Sequence, residues 1–152
     1  VKNRSWPKEN DFVWKDAVAR PETWDRPGVV MFFNLECPGC VSRGVPFLKK
    51  LAKEYKDKLI ITMVHTSFGH KVYTRDEVVP TLTHFARDFA DIPFPIALDL
   101  DGKMAESWEV LGTPHWLIFD GGELVRSIFG SQDNAQTRLE YTLAELLEED
   151  LD

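Results

Sequence analysis

An almost unbroken apolar run, Val29 to Leu35, is fenced by Pro27-Gly28 before it and by Cys37-Pro38-Gly39-Cys40 after it. A run without polar alternation suits a strand covered on both faces, in the interior of a sheet and not at its edge. Directly downstream, between Val41 and Lys58, Phe47, Leu48, Leu51, Ala52 and Tyr55 recur at helical spacing while Lys49, Lys50, Lys53 and Lys56 take the other side. That pattern predicts an amphipathic helix, kinked in its first half by Gly44 and Pro46. A second apolar run, Leu59 to Thr66, completes a strand–helix–strand unit, which sets the two strands parallel.

With 152 residues, 43% of them hydrophobic, the chain can bury one substantial core, and a single domain over residues 1–152 is expected. The net charge of −7 argues against nucleic acid or an anionic membrane as partner. No apolar run approaches a membrane span. The chain opens at Val1, which fits a cytoplasmic protein trimmed of its initiator methionine and equally an extracytoplasmic one relieved of a leader. A cytoplasmic monomer is the working expectation.

Residues 1–27 are polar and irregular, punctuated by Pro7, Pro21 and Pro27, with Trp6, Trp14 and Trp24 as anchors of an N-terminal lead-in. Beyond Thr66, residues Ser67 to Tyr73 read as a loop. Thr74 and Glu77 form a candidate capping box, and Val78, Leu82, Phe85, Ala86 and Phe89 one helical face, in a helix that kinks or starts at Pro80. Short strands are expected at Ile96–Leu98 and Trp116–Phe119, and a short helix from Gly102 to Glu109. Asp120-Gly121-Gly122 turns into a strand over Glu123–Phe129, and Leu139, Leu143, Leu146 and Leu147 mark a last helix from about Asn134. The acidic stretch Glu145–Asp152 reads as a solvated helix end.

The chemistry concentrates at Cys37 and Cys40, where the strand gives way to the helix. Unpaired N–H groups and the positive end of a helix stabilise a thiolate, so Cys37 is expected to ionise near neutral pH and act as nucleophile. Pro38 suits the first helical turn, and Gly39 keeps the approach to Cys37 clear. Cys40 returns to the same face one turn later, placed to attack a mixed disulfide on Cys37 and release the substrate. A negative charge at Glu36, next in sequence, would work against ionisation of Cys37 and makes Glu36 a possible modulator. Two cysteines could also be half of a zinc site completed from His65, His70, His84 and His115. None of these histidines shows the close pairing of a zinc module, so no metal is expected.

The run Val29–Leu35, the Cys37–Cys40 motif, and Gly112-Thr113-Pro114 leading into Trp116-Leu117-Ile118-Phe119 together resemble the thioredoxin superfamily. Asp99, Asp101-Gly102, Ala105, Trp108, Val110 and Gly112-Thr113-Pro114 are similar to the pattern of its TlpA/ResA-like thiol-disulfide oxidoreductases, with YkuV-like cytoplasmic members nearest. The likeness runs from about Pro27 to Glu149. It implies an α/β thioredoxin-like fold with a central mixed sheet flanked by helices, enlarged between the motif helix and the cis-proline strand by an added helix and connection over residues 67–95. It implies further that Pro114 is a cis-proline facing the disulfide, that the Thr113 backbone pairs with an extended substrate, and that the activity is thiol-disulfide exchange without a bound cofactor, with reduction the preferred direction. A metal-binding or non-catalytic interaction module on the same fold is the alternative. Protein thiols or disulfides would be the substrates, with an upstream redox partner.

The chain departs from the family in two places. Met31 occupies the position, six residues before Cys37, where many thioredoxins bury an acid. Pro46 falls one residue later than the usual helix proline, which predicts a bulge near Arg43-Gly44. Asp99-Leu100-Asp101-Gly102 resembles the start of a calcium loop but lacks the remaining ligands, so a turn and helix cap are expected. Phe68, Tyr73 and Trp108 are candidates for an apolar rim around the site, and His65 and His115 for places near it.

Overall fold

The computed structural model describes residues 4–67 and 73–148. Its strands are β1 (Phe12–Trp14), β2 (Gly28–Phe33), β3 (Ile60–Thr66), β4 (Ile96–Asp99), β5 (His115–Asp120) and β6 (Glu123–Phe129). The α-helices are α1 (Val45–Tyr55), α2 (Arg75–His84), α3 (Lys103–Ser107) and α4 (Asp133–Glu148). All six strands join one mixed sheet in the order β1-β4-β3-β2-β5-β6.

β2 is buried along its whole length because the sheet is covered twice. Val29, Met31 and Phe33 face a layer built from Leu48 and Leu51 of α1, Leu82 of α2, and Leu139 and Leu143 of α4. Val30 and Phe32 face Met104, Ala105 and Trp108, with Trp6, Phe12 and Trp24 packed on that second cluster. The lead-in is therefore structural. Its indoles anchor to backbone carbonyls, Trp6 to Val18 and Trp24 to Ala19, and Trp24 meets Trp6 and Phe119 edge-on. It also contributes β1, antiparallel to β4, so that part of the segment is not irregular as expected. Three residues are too few to display a period-two pattern, and Trp14 is held by its own indole hydrogen bond to Ile92.

β2, β3 and β4 run parallel, with α2 in the β3–β4 crossover. Thr74 caps α2 through Glu77 N–H at 3.2 Å, and the Glu77 carboxylate accepts the Thr74 N–H at 3.1 Å. Pro80 lies inside α2 and does not start it. The helix then widens into a π-turn, Phe85–Phe89, in which Ala90 N–H reaches back to the Phe85 carbonyl. The extra residue per turn rotates Phe89 off the expected apolar face and leaves it 77% exposed.

Trp108, one of the candidates for a rim, belongs to the core, 1% exposed in the second cluster. Its indole N–H donates to the Ser5 carbonyl at 2.6 Å, and its ring meets Phe119 edge-on. Asp99 caps α3 by accepting from Met104 and Ala105 N–H, and it takes a third hydrogen bond from Thr66 Oγ1 at 2.7 Å. Its oxygens are spent on the fold and not turned to a cation.

Candidate active site

β5 runs antiparallel to β2 with His115 opposite Phe32, so the residues just before β5 lie beside the residues just after β2. This register brings Pro114 to Cys37. The Thr113–Pro114 peptide bond is cis, and the Thr113 carbonyl lies 3.6 Å from Cys37 Sγ.

Cys37 sits at the start of the motif helix as its N-cap. Its carbonyl accepts from Cys40 and Val41 N–H, while its sulfur accepts the Cys40 N–H at 3.2 Å. Pro38 and Gly39 form the first helical turn, where Pro38 is expected. Cys40 to Gly44 follow as a π-turn closed by Val45 N–H on the Cys40 carbonyl. This is the bulge expected from the late Pro46. It seats Gly44 against Met31, where a Cβ would come 2.5 Å from the Met31 methyl. Helix α1 ends at Tyr55, and a 3₁₀ turn over Lys56–Lys58 completes the span expected to be helical.

The two sulfurs are 2.6 Å apart. Cys37 is partly exposed and Cys40 buried. Burial first, and then the neighbouring Cys37 sulfur, pushes the Cys40 thiol up to about 12. At neutral pH Cys40 thus keeps its proton and Cys37 is the accessible sulfur. Iodoacetamide at pH 7.5 is expected to label Cys37 and to modify Cys40 far more slowly than a free thiol, since Cys40 is buried and holds its proton there. Peptide mapping of the alkylated protein checks this. Comparable labelling of both cysteines would contradict the burial of Cys40.

Gly39 leaves room that a side chain would fill: a Cβ there would stand 2.8 Å from Ser131 Oγ. Ser131 in turn accepts at its carbonyl from Arg43 Nε, and Arg43 pairs with Asp133 at the start of α4. Glu36 is exposed, its N–H donating to Asn34 Oδ1.

Asn34, outside the expected set, and His65, a candidate for a place near the site, hold the segment before Cys37. Asn34 accepts from Glu36 N–H at 2.8 Å, donates its amide to the Thr66 carbonyl, and receives Cys37 N–H on its own carbonyl. An asparagine closing a strand just before a helix signals such an Asx turn. His65 Nε2 accepts the Leu35 N–H at 3.3 Å, its ring packed edge-on against Phe33 and Tyr73. His115 lies behind the Pro114 loop, bonded through Nε2 to Ser127 Oγ. Phe68 and His70 lie outside the described residues, and among those described no three His, Cys, Asp or Glu side chains gather as a metal site.

Burial lowers His65 to about 4 and shifts His115 in the same direction. The unfolded chain takes up these protons near pH 6.5 and the folded chain does not, so stability present at pH 7 falls as pH drops towards 4. His65 alone is expected to cost about 2 kcal/mol between pH 7 and pH 5. Urea unfolding at both pH values tests this against His65→Gln, which keeps an acceptor for Leu35 but does not titrate. An equal loss in both proteins would contradict the assignment.

No family model matches the sequence, and no curated protein matches it. Among solved structures, a thiol-disulfide isomerase from Corynebacterium glutamicum superposes with a TM-score of 0.79 at 23% identity, covering 97% of this chain and 98% of that one. A thioredoxin-like superfamily protein gives a TM-score of 0.68 at 26% identity over 80% of each chain. The chain has a thioredoxin-like fold. A DsbF homologue from Corynebacterium diphtheriae shares that fold at a TM-score of 0.70 and 17% identity, covering 90% of this chain and 82% of that one. In this thioredoxin-like chain the Cys37–Cys40 pair opens the helix after β2 and faces the cis-proline loop before β5. No helix among the described residues is long and apolar enough to cross a membrane.

Proposed function

We propose that the chain is a dithiol-disulfide oxidoreductase of the TlpA/ResA-like kind, exchanging Cys37–Cys40 with protein thiols and disulfides and working as a reductase. One observation carries this reading: Cys37 caps a helix at the protein surface with its sulfur 3.6 Å from the Thr113 carbonyl and 2.6 Å from the buried Cys40 sulfur. In the reductive direction the Cys37 thiolate attacks a substrate disulfide, forming a Cys37–substrate bond and releasing one substrate thiolate. Cys40 gives up its proton and attacks Cys37, which closes the Cys37–Cys40 disulfide and releases the second thiol. Two electrons pass to the substrate.

Thr113 offers backbone groups to an extended substrate segment, Pro114 shapes the wall opposite Cys37, and Pro38 and Gly39 keep the mouth open. Glu36 acts through its charge at the rim. The high position of Cys40 favours the reductive direction, because the reduced form gains nothing from ionisation of that sulfur. An upstream dithiol then returns the protein to its reduced form, and a monomer in the cytoplasm fits this cycle.

Insulin turbidity with dithiothreitol as electron source tests the direction. The protein is expected to accelerate precipitation over dithiothreitol alone. No acceleration, together with faster oxidation of reduced ribonuclease by the oxidised protein, would reverse the direction.

A further inference from the structure

Two π-turns border one cleft beside the motif helix: Cys40–Gly44 contributes Val41, and Phe85–Phe89 contributes Phe85 and Phe89. The cleft is apolar, about 410 Å³, and begins one residue past Cys40. At Pro46 and Lys49 it meets a second opening of about 800 Å³ that runs along α1 over Leu59 and Phe94 and is edged by Lys53, Lys56 and one acid, Asp57. Lys49 donates to the Ala90 carbonyl, and Lys50 is paired with Glu140. Lys53 and Lys56 are exposed, and no ion pair among the described residues uses them. Cations left free in a chain of net charge −7, beside a phenylalanine that is 77% exposed, form a surface with an apolar end near the cysteines and a basic end away from them.

We propose that this groove docks the protein that exchanges electrons with Cys37–Cys40, through a segment that lays apolar side chains against Val41, Phe85 and Phe89 and acidic side chains against Lys53 and Lys56. The inference rests on the oxidoreductase reading. Apolar burial holds the segment, and charge complementarity selects it and fixes which end lies near the sulfur. Docked this way, the partner's cysteine is presented to Cys37 at high effective concentration.

The test uses short synthetic peptides carrying an acidic run, then Phe-Leu, then a cysteine blocked as a mixed disulfide with thionitrobenzoate. Cys37 thiolate attacks the peptide sulfur and releases coloured thionitrobenzoate. Cys40 then displaces the peptide as a free thiol, the protein ending oxidised by the two electrons the disulfide gained. The acidic peptide is expected to react about tenfold faster than one with lysines in place of the acids. The advantage should vanish in Lys53→Glu/Lys56→Glu and shrink as salt is raised. Phe89→Ser should slow the Phe-Leu peptide but not one with Ser-Ser in its place. Glutathione disulfide should react alike with all variants.

The same peptides with serine for cysteine, labelled with fluorescein, read docking by anisotropy without any chemistry. Equal binding of acidic and basic peptides, or binding untouched by both variants, overturns the proposal even if exchange is intact. Preferential binding without exchange overturns the oxidoreductase reading and leaves the groove assigned. If sedimentation shows the protein dimerising and Lys53→Glu/Lys56→Glu restores the monomer, a second copy occupies the face and the proposal fails.

Discussion

Cys37→Ser is expected to abolish disulfide exchange, whereas Cys40→Ser should accept a substrate and hold it. The difference follows from position. Cys37 caps the helix at the surface, and no other thiol is accessible once it is gone, because Cys40 is buried and protonated at neutral pH. Cys40 contributes the second step only, since its sulfur reaches Cys37 but not solvent. Its removal leaves the first attack intact and deletes the one group that resolves the mixed disulfide. Non-reducing electrophoresis and mass spectrometry of each variant after reaction with a protein disulfide read the outcome. A covalent adduct on Cys37→Ser and none on Cys40→Ser would reverse the order of the two cysteines.

Trp108→Ala should be the most damaging core substitution at a residue outside the site, costing about 3–5 kcal/mol of stability. The indole fills the second face of the sheet against Phe119, takes the Arg4 guanidinium 5.0 Å above its ring, and ties Ser5 to the core through its N–H. Trp108→Phe, which keeps a ring and loses the hydrogen bond, should cost less, about 1–2 kcal/mol. Because Trp108 packs on the face away from α1, both variants should exchange disulfides normally while folded. A folded Trp108→Ala protein with impaired exchange and unaltered urea midpoint would place the indole at a substrate rim after all.

The motif end of the fold was legible because its signals are local. Strand, cysteine pair and helix follow one another without interruption, and a proline one residue late predicted a wide turn that Cys40–Gly44 supplies. Thr74 with Glu77, and the aspartates before α3, declared their caps for the same reason. Where tertiary packing decides, the pattern misled. Phe89 keeps the helical spacing of its neighbours but is turned outward by the π-turn. β1 exists because β4 offers it an edge, not because Phe12–Trp14 has a strand pattern of its own. His65 was ambiguous for a related reason: its acceptor role depends on Leu35, thirty positions away in sequence, arriving beside the end of β3.

A reversible two-electron couple between Cys37 and Cys40 is read by equilibrating the protein in glutathione buffers of graded potential and counting free thiols by mass spectrometry after acid quench and alkylation. A single transition is expected between a species with two alkylated cysteines and one with none, fitting a two-electron couple, and it should be absent in either cysteine variant. Two thiols that stay reduced at every ratio, protected by a stoichiometric zinc ion, would contradict it.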